Sequence, residues 1–69
     1  MKKRYYVNEK AQANGDHEVH HESCMYLPAL QSRKYLGEFH FCIEAVVVAR
    51  RFYPTADGCR ICSAGCHTR

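Results

Sequence analysis

The sequence predicts a small α+β domain: an N-terminal β-hairpin and a short strand packed on one main helix, followed by a cysteine-rich C-terminal knuckle. Three observations carry that expectation. Asn14-Gly15-Asp16 separates two β-prone runs, and Asn and Gly tolerate the positive φ that hairpin turns need. Cys42, Ala45, Val46, Ala49, Phe52 and Tyr53 recur at the i, i+3, i+4, i+7 spacing of one helical face. Cys59-x2-Cys62, directly after Gly58, has the spacing of a tight turn that brings two thiols together.

Taken in order, the hairpin pairs roughly residues 4–10 with 16–21, because Arg4-Tyr5-Tyr6-Val7 and the region around Val19 are β-prone. In Cys24-Met25-Tyr26-Leu27-Pro28 the proline ends or begins a short helical turn. Residues 29–34 read as a polar loop. Tyr35-Leu36-Gly37-Glu38-Phe39 reads as a strand with its glycine at a bulge or a close backbone approach. The helix is expected over Phe41–Tyr53. Val46-Val47-Val48 is β-prone, but the length of the periodic run and Arg50-Arg51 near its C-terminal end favour helix, and Pro54 stops it. The tail from Thr55 reads as a knuckle and a ragged end, with residues 1–3 and 66–69 frayed. No repeat or linker divides the chain, so residues 1–69 form one domain.

A chain of 69 residues buries little apolar surface, and domains of this size commonly need a disulfide, a metal or a partner subunit. Five cysteines and five histidines make a staple the first thing to look for. Met1-Lys2-Lys3-Arg4 is basic, yet no apolar segment follows it, and the longest strongly apolar stretch, Ala45–Ala49, is too short to span a bilayer. The expected location is therefore cytoplasmic, where thiols stay reduced, and an odd cysteine count argues against a complete disulfide framework. Metal binding is favoured over oxidation. Ten Lys and Arg stand against seven Asp and Glu, in small groups at Lys2-Lys3-Arg4, Arg33-Lys34 and Arg50-Arg51. That balance permits a nucleic-acid partner without requiring one, and a solvated surface is the simpler reading.

The ligand-type residues are grouped. His20-x3-Cys24 has i, i+4 spacing, which on a helical turn places both side chains on one face. Joined to Cys59-x2-Cys62, it supplies four N and S donors from two distant half-sites, as a closed tetrahedral zinc site requires. Backbone amides of the knuckle would donate to its sulfurs, and Asp16, Glu18 or Glu22 would orient the ligand histidine. Two alternatives stay open: Cys66 or His67 in place of His20, or disulfides and free thiols with no metal. Cys42 is expected as a reduced, buried core thiol. Cys66 is either an exposed thiol or the reversible partner of Cys42, which would make a redox sensor. Tyr5, Tyr6, Tyr26, Tyr35, Phe39 and Phe52 are expected in the core rather than as a base-stacking platform. No nucleophile elbow, phosphate loop or other catalytic arrangement stands out.

His20-x3-Cys24 followed by Leu27-Pro28, then Tyr35-Leu36-Gly37-Glu38-Phe39, Glu44-Ala45 and Gly58-Cys59-x2-Cys62, resembles the zinc-binding domain of the Ada methylation-repair family. It is closer to the small bacterial Ada-like modules in which histidine replaces the first cysteine. The resemblance covers about residues 19–62 and implies a small sheet with helices and one tetrahedral zinc. In the repair protein that first cysteine accepts the methyl group of a DNA phosphotriester. His20 occupies its position here, and an imidazole cannot replace that thiolate, so the resemblance implies the zinc and not the methyl transfer.

The expected function is thus a non-catalytic structural-zinc module, monomeric and away from membranes, acting on a protein partner or, less directly, a nucleic acid. A thiol redox or metal sensor using Cys66 and Cys42 is the alternative.

Overall fold

The structure, a computed structural model, describes residues 1–68. It is an α+β domain in which one helix covers a four-stranded sheet of order β3-β1-β2-β4. Strands β1 (Lys3–Asn8) and β2 (His17–His21) form the expected antiparallel hairpin, with Tyr5 opposite His21, Tyr6 opposite His20 and Val7 opposite Val19. Its tip closes as the Asn-Gly signal requires. The Gly15 amide donates to Gln12 O at 2.8 Å, and the Asn14 side chain accepts from the Asp16 amide at 2.9 Å.

Strand β3 (Arg33–Phe39) pairs antiparallel with β1 and carries the expected irregularity. Tyr5 faces Gly37 while Tyr6 faces Tyr35, so Leu36 is the extra residue, and Gly37 takes φ +129° beside it. The polar loop expected over 29–34 is shorter than that. Leu30–Ser32 forms a 3-10 turn, and Arg33 and Lys34 already belong to β3.

Helix α1 runs over Cys42–Ala49, ending four residues before the position the periodicity suggests. The residue before a proline is pushed out of the α region, so Tyr53 cannot continue the helix into Pro54. The chain instead leaves through a turn in which the Phe52 and Tyr53 amides both donate to Ala49 O. At the other end Phe41 has no side-chain acceptor with which to cap. Glu44 reaches back and accepts the Phe41 amide at 3.1 Å, one half of a capping box.

Ala45, Val46 and Ala49 press onto Tyr5, Val7 and Val19 of the hairpin, all buried, with Leu36, Phe39 and Tyr53 at the margin. The small alanines let the helix lie close to the sheet, so two turns suffice to seal it. Among the aromatics, Tyr5 joins the core as expected, but Tyr26, Tyr35 and Phe52 are exposed. Phe52, assigned to the buried helical face by periodicity, lies beyond the helix end with the Lys34 ammonium 4.5 Å from its ring centre.

The tail is more ordered than a ragged end. Strand β4 (Ala56–Gly58) pairs parallel with β2, and a second 3-10 turn covers Ala64–Cys66. Cys66 is disulfide-bonded to Cys42, the first residue of α1, with Cα atoms 6.2 Å apart. Cys42 is therefore no reduced core thiol, and Cys66 is neither exposed nor frayed. Thr68 is also held, its amide and hydroxyl donating to the Asp57 carboxylate at 2.9 and 2.8 Å. Arg69 lies outside the described residues. At the N-terminus Lys3 belongs to β1, and Met1 and Lys2 precede it. No helix among the described residues is long and apolar enough to cross a membrane.

Candidate metal centre

The four ligand candidates come from three separate pieces of chain. His20 sits in β2, fixed opposite Tyr6 by the hairpin register. Cys24 follows in a turn in which its amide donates to His21 O at 3.0 Å and its carbonyl accepts from the Leu27 amide at 3.1 Å. The His20-x3-Cys24 spacing thus works through a strand end and a reversal rather than through a helical turn. Cys59 and Cys62 come from the knuckle after β4. The Cys59 amide donates to Val19 O at 2.9 Å, extending the β2–β4 ladder, and Ser63 closes the turn by donating to Cys59 O at 2.9 Å.

One ligand atom from each of His20, Cys24, Cys59 and Cys62 lies within 4.8 Å of the others. Three of the four residues are nearly inaccessible: His20 is 1% exposed, Cys24 8% and Cys59 2%, with Cys62 half-buried. The Cys24 and Cys59 sulfurs are 3.9 Å apart. Tetrahedral geometry with metal–sulfur bonds of about 2.3 Å places two sulfurs roughly 3.8 Å apart, so the pair already has the spacing of two ligands on one ion. Amides two residues on point at both sulfurs, Tyr26 N to Cys24 Sγ and Ile61 N to Cys59 Sγ, each at 3.4 Å. These are the N–H···S contacts that stabilise thiolate in a knuckle.

Electrostatics favour a cation at the centre. Burial pushes the Cys24 thiol up to about 12; the hydrogen bond from the Tyr26 amide is the next largest influence and pulls it down, and hydrogen bonding to Cys62 and Cys59 and the charge of Cys62 add smaller upward pushes. Three adjacent sulfurs in so dry a place cannot all ionise without a positive ion among them. The His20 imidazole is held below its ordinary value by burial, so it is neutral and able to ligate. Its Nδ1 is buried with no hydrogen-bond partner, a costly omission that a metal would remove. On the other side of the ring, Nε2 lies 3.6 Å from Glu18 Oε1. Of the three acidic residues expected to orient the histidine, Glu18 is the one in place; Glu22 instead accepts the Arg4 amide at 2.7 Å, and Asp16 closes the hairpin turn.

The alternative ligands are turned elsewhere. Cys66 is consumed by the disulfide, and His67 Nδ1 lies 3.0 Å from Gly58 O and 3.3 Å from Asp57 Oδ2. His17 stacks on Tyr53 with ring centres 4.0 Å apart, and His21 Nδ1 accepts from the Ser23 amide. Spacing alone did not reveal how the knuckle is closed. A Cβ on Gly58 would lie 2.7 Å from Cys66 Cβ and 2.8 Å from Ser63 O, so only glycine lets the disulfide-bonded cysteine pack over the start of the knuckle. Two cross-links therefore act on one short loop: the candidate ligands Cys59 and Cys62 at its head, and the Cys42–Cys66 disulfide at its foot.

Comparison of the chain with known protein families, curated proteins and solved structures finds no match.

Proposed function

We propose that this chain is a non-catalytic zinc module, with one zinc held by His20, Cys24, Cys59 and Cys62 and an exposed surface that serves a partner. The observation that carries the reading is the convergence of one imidazole and three thiols in a buried cluster. A set of soft sulfur donors with one imidazole selects zinc over hard, oxygen-seeking cations. Four protein ligands leave no open position for substrate or water, the arrangement of structural rather than hydrolytic zinc. A relation to the Ada-like modules belongs to the same proposal, and the histidine at the first ligand position keeps methyl transfer out of it. So does a cytoplasmic setting, which leaves three thiols free for metal. The disulfide is compatible with that setting because Cys66 is buried against the core, where soluble reductants have little access.

Native mass spectrometry tests the reading: one zinc per monomeric chain is expected. Zinc at a thousand times its Kd adds about 4 kcal/mol of stability, so a strong chelator should lower the melting temperature or unfold the protein. A cooperative melt that chelator leaves unchanged overturns the zinc.

One observation favours nucleic acid as the partner. Tyr6 and Tyr35 lie side by side with ring centres 5.4 Å apart, and the Arg33 guanidinium lies 4.7 Å from the Tyr6 ring centre. Aromatic rings beside cations form the platform on which unpaired bases stack. Arg50 contributes less than its charge suggests, since its Nε donates to Ala56 O at 2.9 Å. A mobility shift that weakens steeply with salt would support this second reading, and no shift at low ionic strength would remove it.

A further inference from the structure

A cavity of about 630 Å3 opens directly beside the metal cluster, with Cys59 in its wall. That volume lies within the roughly 300–1,000 Å3 of small-molecule sites. Four of its seven other wall residues are sequence neighbours of the candidate ligands. Glu18 stands two residues before His20, Tyr26 two after Cys24, and Arg60 and Ile61 lie between Cys59 and Cys62. His67 follows the disulfide cysteine, and Gln12 and Asn14 close the rim from the hairpin loop. That loop is braced from across the fold by Thr55 Oγ1, which donates to Gly15 O at 2.8 Å.

The polar groups of the cavity are set in a definite way. Both neighbours of His67 Nδ1, the Gly58 carbonyl and the Asp57 carboxylate, are acceptors, so Nδ1 carries the ring hydrogen. Asp57 is itself fixed by Thr68. With Nδ1 so engaged, the Nε2 edge of the ring is the side left for the cavity. Arg60 is exposed and makes no ion pair among the described residues, while Glu18 adds a carboxylate to the same cavity. Tyr26 and Ile61, both exposed, add apolar surface to the same cavity.

These features select a ligand class. A purely anionic ligand would meet Glu18, and a purely cationic one would meet Arg60. A molecule with an ammonium at one end and a carboxylate at the other satisfies both. Amide groups between those ends match the carboxamides of Gln12 and Asn14, and an apolar side chain matches Tyr26 and Ile61. A dipeptide spans about 7 Å when extended, so its ammonium and its carboxylate can reach different walls of one cavity. We propose that this cavity is a binding site for short zwitterionic peptides, built by the metal site whose ligands position its walls. The proposal rests on the zinc reading above, in that zinc is what holds Tyr26, Arg60 and Ile61 in register.

The test is an NMR titration of 15N-labelled protein with the dipeptide Ala-Leu, its N-acetyl form, its C-terminal amide and the form blocked at both ends. Native mass spectrometry of the same sample reports the zinc. Ala-Leu is expected to shift the Asn14, Arg60, Ile61 and His67 amides saturably, and blocking either end is expected to weaken binding about tenfold or more. Arg60→Ala should weaken Ala-Leu by the same factor while leaving the C-terminal amide form unaffected, because that form has no carboxylate to lose. Tyr26→Ser, on a different segment, should weaken all four. Zinc-loaded protein that shows no saturable shift, or that binds all four forms equally, overturns the pocket and leaves the zinc standing. Saturable, charge-dependent binding by protein that carries no zinc overturns the zinc reading and the dependence of the pocket on it.

Discussion

Gly58→Ala probes the closure of the knuckle with a single methyl group. Cβ–heavy-atom contacts in proteins are essentially never under 3.0 Å, yet a Cβ here would stand 2.7 Å from Cys66 Cβ, 2.8 Å from Cys66 C and 2.8 Å from Ser63 O. Two of these three atoms are backbone, and the third belongs to a side chain tied by its disulfide to α1. None can swing aside as the tip of a flexible side chain would. Relief must come from moving the 59–66 loop away from β4, against the Cys59 N–Val19 O hydrogen bond and the cluster holding Cys59 and Cys62. Overpacking in a rigid site costs about 1–3 kcal/mol, and the fixed neighbours place this one near the top of that range. In a domain of this size about 3 kcal/mol corresponds to a fall in melting temperature of roughly 12–24 °C. Displacing Cys59 by even a few tenths of an ångström should also weaken zinc, so thermal melts by circular dichroism should be paired with zinc competition against a chromophoric chelator. A variant that melts within a few degrees of wild type with unchanged zinc affinity would refute the packing argument.

Replacing Cys42 and Cys66 together by serine opens a loop of sequence separation 24; the chain-entropy estimate for it is about 3.5 kcal/mol, to be read from urea unfolding with zinc present. Val46→Ala removes two buried methyl groups from the helix–sheet contact and should cost about 2 kcal/mol in the same assay, with no change in zinc content. Glu18→Gln removes the carboxylate beside His20 Nε2 and should lower zinc affinity about tenfold, measured by competition. For metal-free protein, the raised Cys24 thiol sets the alkaline limb. The unfolded chain releases this proton near pH 8.5 and the folded one only near 12, so stability should fall as pH rises above about 8.5. The lowered His20 imidazole sets the acid limb: the unfolded chain takes up a proton near pH 6.5 that the folded one refuses, so stability should also fall as pH drops below that point. Urea midpoints across pH, with and without zinc, check both limbs.

The hairpin was legible because Asn14-Gly15 fixes its turn chemically, and the helix because Ala45, Val46 and Ala49 repeat at its period. Its true end was less so, because Phe52 and Tyr53 are apolar and in phase although Pro54, directly after them, removes the helical conformation they would need. Strand β4 left no trace: three residues, Ala56-Asp57-Gly58, carry no alternation, and the parallel partner that makes them a strand lies far away in the chain. For the candidate site, Cys59-x2-Cys62 and His20-x3-Cys24 picked out residues that the fold brings together, though not through the helical turn expected, since His20 lies on a strand. The disulfide was discounted because compartment and cysteine parity speak of averages, while the bond depends on the C-terminus folding back over Gly58. Arg60, Gln12 and Asn14 gave no signal, for a cavity wall is defined by what it faces and not by its spacing.

The shared loop of metal and disulfide bears on how the protein is made. Five thiols admit ten different single disulfides, and nine of them would capture at least one of Cys24, Cys59 and Cys62. An ion already seated on those three sulfurs acts as a protecting group, leaving Cys42 and Cys66 as the one pair open to an oxidant. Metal supply during synthesis would then decide whether the chain matures with its native bond or is trapped in a misjoined form.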